Sequence, residues 1–147
     1  MMKKNNKGFT LIELLVVIAI IGLLSTLAVV ALGNARQKAR DAKRLSDLKQ
    51  MQTALELYYT DKTDYPAAAA PLTLGAAADS ACLDGTGFTT VALCASPYMG
   101  QVPADPLPAQ NYVYTKGANT YTITATLETT MNGLSGGVTL SPSGIAD

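Results

Sequence analysis

The sequence predicts an α+β protein: a long N-terminal helix, membrane-spanning in its first half and amphipathic in its second, packed on a small antiparallel sheet of about three strands. Three observations carry this reading. Residues 9–33 are almost wholly apolar; Leu45, Leu48, Met51, Leu55 and Tyr58 then recur in steps of three and four; and Tyr121, Ile123, Ala125 and Leu127 alternate with threonines. A chain of 147 residues, 48% hydrophobic and 15% charged, supports one modest domain and is too apolar to be disordered throughout.

Residues 1–8 form a polar, cationic leader carrying Lys3, Lys4 and Lys7. The apolar stretch of residues 9–33 follows, and Leu14 to Leu24 holds no polar side chain. As a helix it measures roughly 37 Å at 1.5 Å per residue, enough to cross a hydrocarbon layer of about 30 Å. A secretory signal with cleavage after Gly33 is the rival reading, but the stretch exceeds the ~7–15 residues of an ordinary signal core and Glu13 interrupts its start. Residues 34–65 continue as an amphipathic helix rich in Ala, Arg, Lys, Gln, Leu and Met, ended by Asp61, Asp64 and Tyr65-Pro66.

Residues 66–147 form the small C-terminal globular part. Residues 66–110, with six prolines and an alanine-rich composition, read as irregular. Tyr112-Val113-Tyr114, the 121–127 strand and Val138-Thr139-Leu140 supply the sheet, with a turn at residues 116–119. Cys82 and Cys94 enclose a 13-residue loop. In a small secreted domain they read as a disulfide, with two buried thiols as the alternative.

Composition removes most enzyme chemistry. Without any histidine and with only two cysteines, a His-ligated metal site and a Ser-His-Asp or Cys-His catalytic unit are excluded. No paired catalytic groups stand out, so the chain is not read as an enzyme. The formal net charge of zero conceals a balance of +6 over residues 1–49 and −6 over the remainder, which points to different surroundings for the two parts.

Glu13 lies near the start of an apolar segment, where an ionised carboxylate held deep costs on the order of 3 kcal/mol. Either it sits shallow and reaches the headgroups, or it pairs with a cation. Cleavage after Gly8 would create such a cation at the Phe9 amine. Gly8-Phe9-Thr10-Leu11-Ile12-Glu13-Leu14-Leu15 and the apolar helix behind it resemble the type IV pilin superfamily of pilins and type II secretion pseudopilins. The resemblance implies a prepilin peptidase that cuts between Gly8 and Phe9 and methylates Phe9, and it makes Glu13 the carboxylate that pairs with a neighbouring N-terminal amine during assembly.

The expected function is then a structural subunit of a type IV pilus-like filament. A type II secretion pseudopilin, or a minor pilin that binds DNA or a surface, are the alternatives. The implied partners are identical subunits, the peptidase, an assembly ATPase and a membrane platform protein. The expected location is the cytoplasmic membrane for a single-pass precursor with its C-terminal part outside, then an extracellular pilus or periplasmic pseudopilus.

Asp41 through Tyr59, Asp64-Tyr65-Pro66 and Val102-Pro103-Ala104-Asp105-Pro106 also look like major pseudopilins, although Leu107-Pro108 stands where many have Trp-Gly. That departure keeps the subgroup's calcium site from being carried over. No cofactor is expected: Asp79, Asp84 and Asp105 read as solvated turn residues, with calcium ligation as the alternative. Arg36, Arg40, Lys43 and Arg44 read as a solvated or intersubunit face, or as a contact for a polyanion such as anionic headgroups or DNA. Counted with Lys38 they also oppose the orientation just given under the positive-inside rule, which the cleavage motif and the cysteine pair override. The seven tyrosines read as core packing rather than a stacking platform.

Overall fold

The computed structural model describes residues 8–75 and 80–147. Leader residues 1–7 and the calcium candidate Asp79 lie outside the described residues. The chain divides into two units, residues up to Arg36 and residues 37–147, taken in turn.

Helix α1 runs Leu11–Lys62. In the first unit every described residue is exposed, and its apolar side chains face outward all round the helix, as with Leu11, Ile18, Leu24 and Val29. A helix apolar on every side has no preferred face to bury in its own domain. It is long and apolar enough to cross a membrane.

In the second unit α1 becomes one-sided. Leu48, Met51, Ala54, Leu55 and Tyr58 are buried along one face, and Leu45 packs half-buried beside them. The helix stops at Thr63, which takes the left-handed conformation (φ 58°) and donates its N–H to the Tyr59 carbonyl at 2.7 Å. Glycine usually fills that position, so a β-branched residue there is strained. Lys116 then grips Asp64 just beyond the helix.

Among the described residues eight strands follow: β1 (Leu72–Leu74), β2 (Cys82–Asp84), β3 (Gly87–Thr89), β4 (Pro97–Met99), β5 (Tyr112–Lys116), β6 (Tyr121–Thr126), β7 (Gly137–Ser141) and β8 (Gly144–Ala146). Five make an antiparallel sheet in the order β1-β5-β6-β7-β8. Its register sets Tyr114 opposite Ile123 and Ile123 opposite Leu140. Tyr112, Tyr114, Tyr121, Ile123, Val138 and Leu140 are thereby buried in one core with the helix stripe, while Thr124 and Thr126 on the opposite face stay exposed. Burying that stripe of side chains is the main force joining helix to sheet, at about 1.5–3 kcal/mol per large apolar residue.

The region expected to be irregular holds four of the strands, and the sheet has five strands where about three were expected. Strands β1 to β4 have three residues each, too few for alternation to register. Long-range pairing defines them instead: Leu74 faces Tyr112, and β2 pairs with both β3 and β4 in a second sheet. Gly75 (φ +73°) permits the close approach of the Pro103–Ala104 backbone, which a Cβ at that position would overlap.

Cys82 and Cys94 form a disulfide across 12 positions, with Cα atoms 6.2 Å apart. It fastens the exposed segment around Val91–Leu93 to buried β2. Replacing both cysteines with serine is expected to lower stability by about 3 kcal/mol. Thermal unfolding of the full chain in detergent, with and without reductant, checks this; an unchanged transition would contradict it.

Candidate functional site

At the N-terminus Thr10 caps α1. Its N–H and hydroxyl both donate to Glu13 Oε2, at 2.8 and 2.7 Å, and the Glu13 N–H donates back to Thr10 Oγ1 at 3.3 Å. The sequence Thr10-Leu11-Ile12-Glu13 is thus a capping box, which satisfies N–H groups that a helix start leaves unpaired. The three-residue spacing of Thr10 and Glu13 carries that signal in the sequence itself. Glu13 is held toward the start of the helix, where the helix dipole favours negative charge. Oε1 has no hydrogen-bond donor and the carboxylate no cation among the described residues. Gly8 and Phe9 are exposed beside it, Phe9 at 92%, and none of the described residues lies within 4 Å of the space a Gly8 side chain would fill.

In residues 37–147 the basic residues have a different fate from the one expected. Arg44 is wholly buried, and its guanidinium is shared among three carboxylates. Nε and Nη2 grip the two oxygens of Asp105 at 2.8 and 2.9 Å, while Nη1 bonds Asp41 at 2.7 Å and Glu128 at 2.8 Å. Such forked geometry is what arginine's planar donors provide. Arg40 forks onto Glu128, and Lys43 bonds Asp47 at 2.8 Å. Asp41 also accepts from the N–H groups of Glu128 and Thr129 and from the Thr129 hydroxyl. Helix, the Asp105 loop and the chain after β6 are tied together here.

The expectation that Arg36, Arg40, Lys43 and Arg44 share one solvated or intersubunit face, or alternatively a polyanion contact, is corrected at Arg44, which is buried. Arg44 is inaccessible and surrounded by carboxylates, because desolvating a guanidinium without partners would be far costlier than pairing it; Arg40 forks onto Glu128, and Lys43 bonds Asp47 from an exposed position. Arg36 stays exposed and outside the ion pairs of the described residues. Asp105 is taken by Arg44, and Asp84 bonds the Thr86 N–H and hydroxyl at 2.8 and 2.6 Å. No group of three His, Cys, Asp or Glu able to hold a metal is found among the described residues.

Arg40, and then Arg44, lower the Glu128 pKa to about 2. For Asp41, burial pushes the pKa up, but the Glu128 N–H, the Thr129 hydroxyl and Arg44 outweigh it and lower the pKa below the usual carboxylate range. A depressed carboxylate stabilises the fold above its unfolded pKa and loses that effect on acidification.

Comparison with known proteins gives two matches along the chain. Residues 3–29 match the prokaryotic N-terminal methylation motif, and residues 31–138 match type II secretion system protein G. The chain belongs to the type II secretion system protein G family. That family places it in the type IV pilin superfamily and among structural subunits, not enzymes. The G-family relatives include the type II secretion system core protein G of Aeromonas hydrophila, 41% identical over 66 residues (45% of this chain, 46% of that protein). That of Escherichia coli K12 is 43% identical over 62 residues (42% and 43%). The type IV major fimbrial protein FimA of Dichelobacter nodosus is 42% identical over 60 residues (41% and 38%). These matches span a little under half the length of those curated relatives. No solved structure matches.

Two outcomes follow for this G-family chain. Stability is expected to be level at neutral pH and to fall as pH drops from about 4.5 toward about 2, with Glu128→Gln blunting that fall; acid titration followed by circular dichroism checks it. Arg44→Met, which strands the carboxylates facing it, is expected to cost about 3–5 kcal/mol. Denaturant unfolding measures that loss, and near-native stability would show that the cluster does not hold the fold.

Proposed function

We propose that the chain is a non-enzymatic filament subunit of the pseudopilus type, stored in the cytoplasmic membrane as a single-pass precursor with residues 37–147 outside. Prepilin peptidase cuts between Gly8 and Phe9 and methylates Phe9. An assembly ATPase and a membrane platform protein then drive addition of subunits. The observation that carries this reading is the arrangement at the start of α1, where a cleavage motif abuts a carboxylate held at the lip of a helix apolar on every side.

The chemistry is a change of surroundings. In lipid, the capping box lowers the cost of an ionised Glu13 by supplying two donors to one oxygen. The open oxygen is left for a cation, and the methylated amine of a neighbouring Phe9 remains a cation. On extraction, residues 9–33 exchange lipid for neighbouring helices, so comparable apolar area stays covered and the ion pair sets which copy docks where. The fimbrial relative favours a second reading, a surface pilus with the same assembly chemistry. DNA or surface binding belongs to that reading.

Glu13→Ala is expected to abolish incorporation into filaments while leaving cleavage intact, as read by gel shift of the processed chain and by imaging of sheared filaments. Normal filaments from that variant would refute the pairing. We further propose that no cofactor is required, calcium included, since Arg44 supplies from within the chain the positive charge that Asp41, Asp105 and Glu128 need. A calcium chelator is expected to leave the melting temperature unchanged; a marked drop would point to a bound cation.

A further inference from the structure

The five-stranded sheet ends at β8, whose outer edge has no neighbouring strand among the described residues. An edge strand turns alternate N–H and C=O groups away from its ladder. No backbone bond outside the ladders engages residues 144–146 among the described residues. Ile145 stands opposite buried Leu140, so its side chain lies on the face that meets α1, where it packs half-buried against the core.

Between α1 and β8 lies a groove of about 420 Å³ lined by Leu45, Ser46 and Lys49 of the helix, Asn132 and Leu134 of the turn between β6 and β7, and Ile145. Leu45, Leu134 and Ile145 give it an apolar floor. The turn is tight: Met131 and Leu134 exchange backbone bonds at 2.9 Å, and Asn132 takes a left-handed conformation (φ 54°). Asn132, Ser46 and Lys49 are exposed. The Asn132 amide and the Ser46 hydroxyl donate to nothing among the described residues, and Lys49 makes one long bond, 3.3 Å to Gln52 Oε1. No acid is among the lining residues. Asp47 is turned inward to Lys43 and the Tyr112 hydroxyl, and Asp147 accepts the Ser135 N–H. Arg36, Lys38 and Lys62 are also outside the ion pairs of the described residues, but none of them lines this groove.

We propose that the groove binds the C-terminal end of an extended peptide from a partner protein, one whose last side chain is aliphatic. The peptide main chain lies along β8 and pairs with its open edge. Its last side chain fills the space between Leu45, Leu134 and Ile145, and its terminal carboxylate accepts from Lys49, Ser46 and Asn132. A strand added at a sheet edge takes affinity from main-chain bonds and specificity from side-chain pockets. Bonds to an ionised carboxylate are roughly twice as strong as neutral ones. A fatty acid would satisfy the floor and the donors but leave the strand edge unused, so the edge is what selects a peptide. The site does not depend on the filament reading.

The test is fluorescence anisotropy of an N-terminally labelled octapeptide of alternating serine and valine that ends in leucine with a free carboxylate. It is titrated with the full chain in lipid nanodiscs, with empty nanodiscs as the baseline. Saturable binding above that baseline is expected. Converting the carboxylate to an amide, or Lys49→Gln in the protein, should weaken it roughly tenfold, as the loss of a charge-assisted bond does. Ending the peptide in serine, or methylating its last three amide nitrogens, should weaken it by a similar factor. Lys49→Gln should leave thermal melting unaltered, because the side chain is exposed, and Lys62→Gln, which removes another exposed cation of α1, should leave binding unaltered. Binding no tighter than to empty nanodiscs, or indifferent to the amide or to the methylated nitrogens, would overturn the proposal. An equal loss from Lys62→Gln would do the same.

Discussion

Three carboxylates from three separate stretches of chain converge on the buried guanidinium of Arg44, and residues 37–147 close around that point. Asp41 comes from the helix itself, Asp105 from the long connection before β5, and Glu128 from the turn after β6. Each alone would be a buried anion, and Arg44 alone a buried cation, all strongly disfavoured. Together they fix which part of the helix lies under which part of the sheet. The apolar stripe from Leu48 to Tyr58 supplies most of the driving force, but apolar contact is tolerant of sliding. A forked arginine is not, because its donors accept partners in one plane and one orientation.

Charge is handled differently along the rest of the chain. Within residues 8–36 a single acid, Glu13, stands among apolar side chains, and its own cap satisfies one carboxylate oxygen. The surroundings of that segment, lipid or other helices, have to supply whatever completes it. Part of the +6/−6 split in the sequence is closed within the fold: Arg40 and Arg44, just past the apolar stretch, are internal partners of acids distant in sequence, while Lys43 pairs locally with Asp47.

Much of this was legible in the residues. The apolar run, the steps of Leu45 to Tyr58 and the alternation of Tyr121 to Leu127 each repeat over enough residues to reveal helix or strand. The cleavage motif is local and readable for the same reason. What escaped was non-local. Strands β1 to β4 are too short for a period, and Leu72–Leu74 becomes a strand only because β5 offers it hydrogen bonds. Asp41, three residues before Arg44, is the one partner legible nearby; the other two lie 61 and 84 residues away, so the burial of Arg44 shows only once the chain is folded. Thr10 was a missed local signal, since the spacing from Thr10 to Glu13 already spells its cap.

The central claim is that a carboxylate at the start of an apolar helix finds its counter-ion on the trimmed end of another copy. Intact-mass spectrometry of the chain recovered from assembled filaments tests it most directly. The account predicts a polypeptide that begins at Phe9 with a single methyl group on its amine. A polymer whose subunits keep residues 1–8, or begin at Asn34, would contradict it.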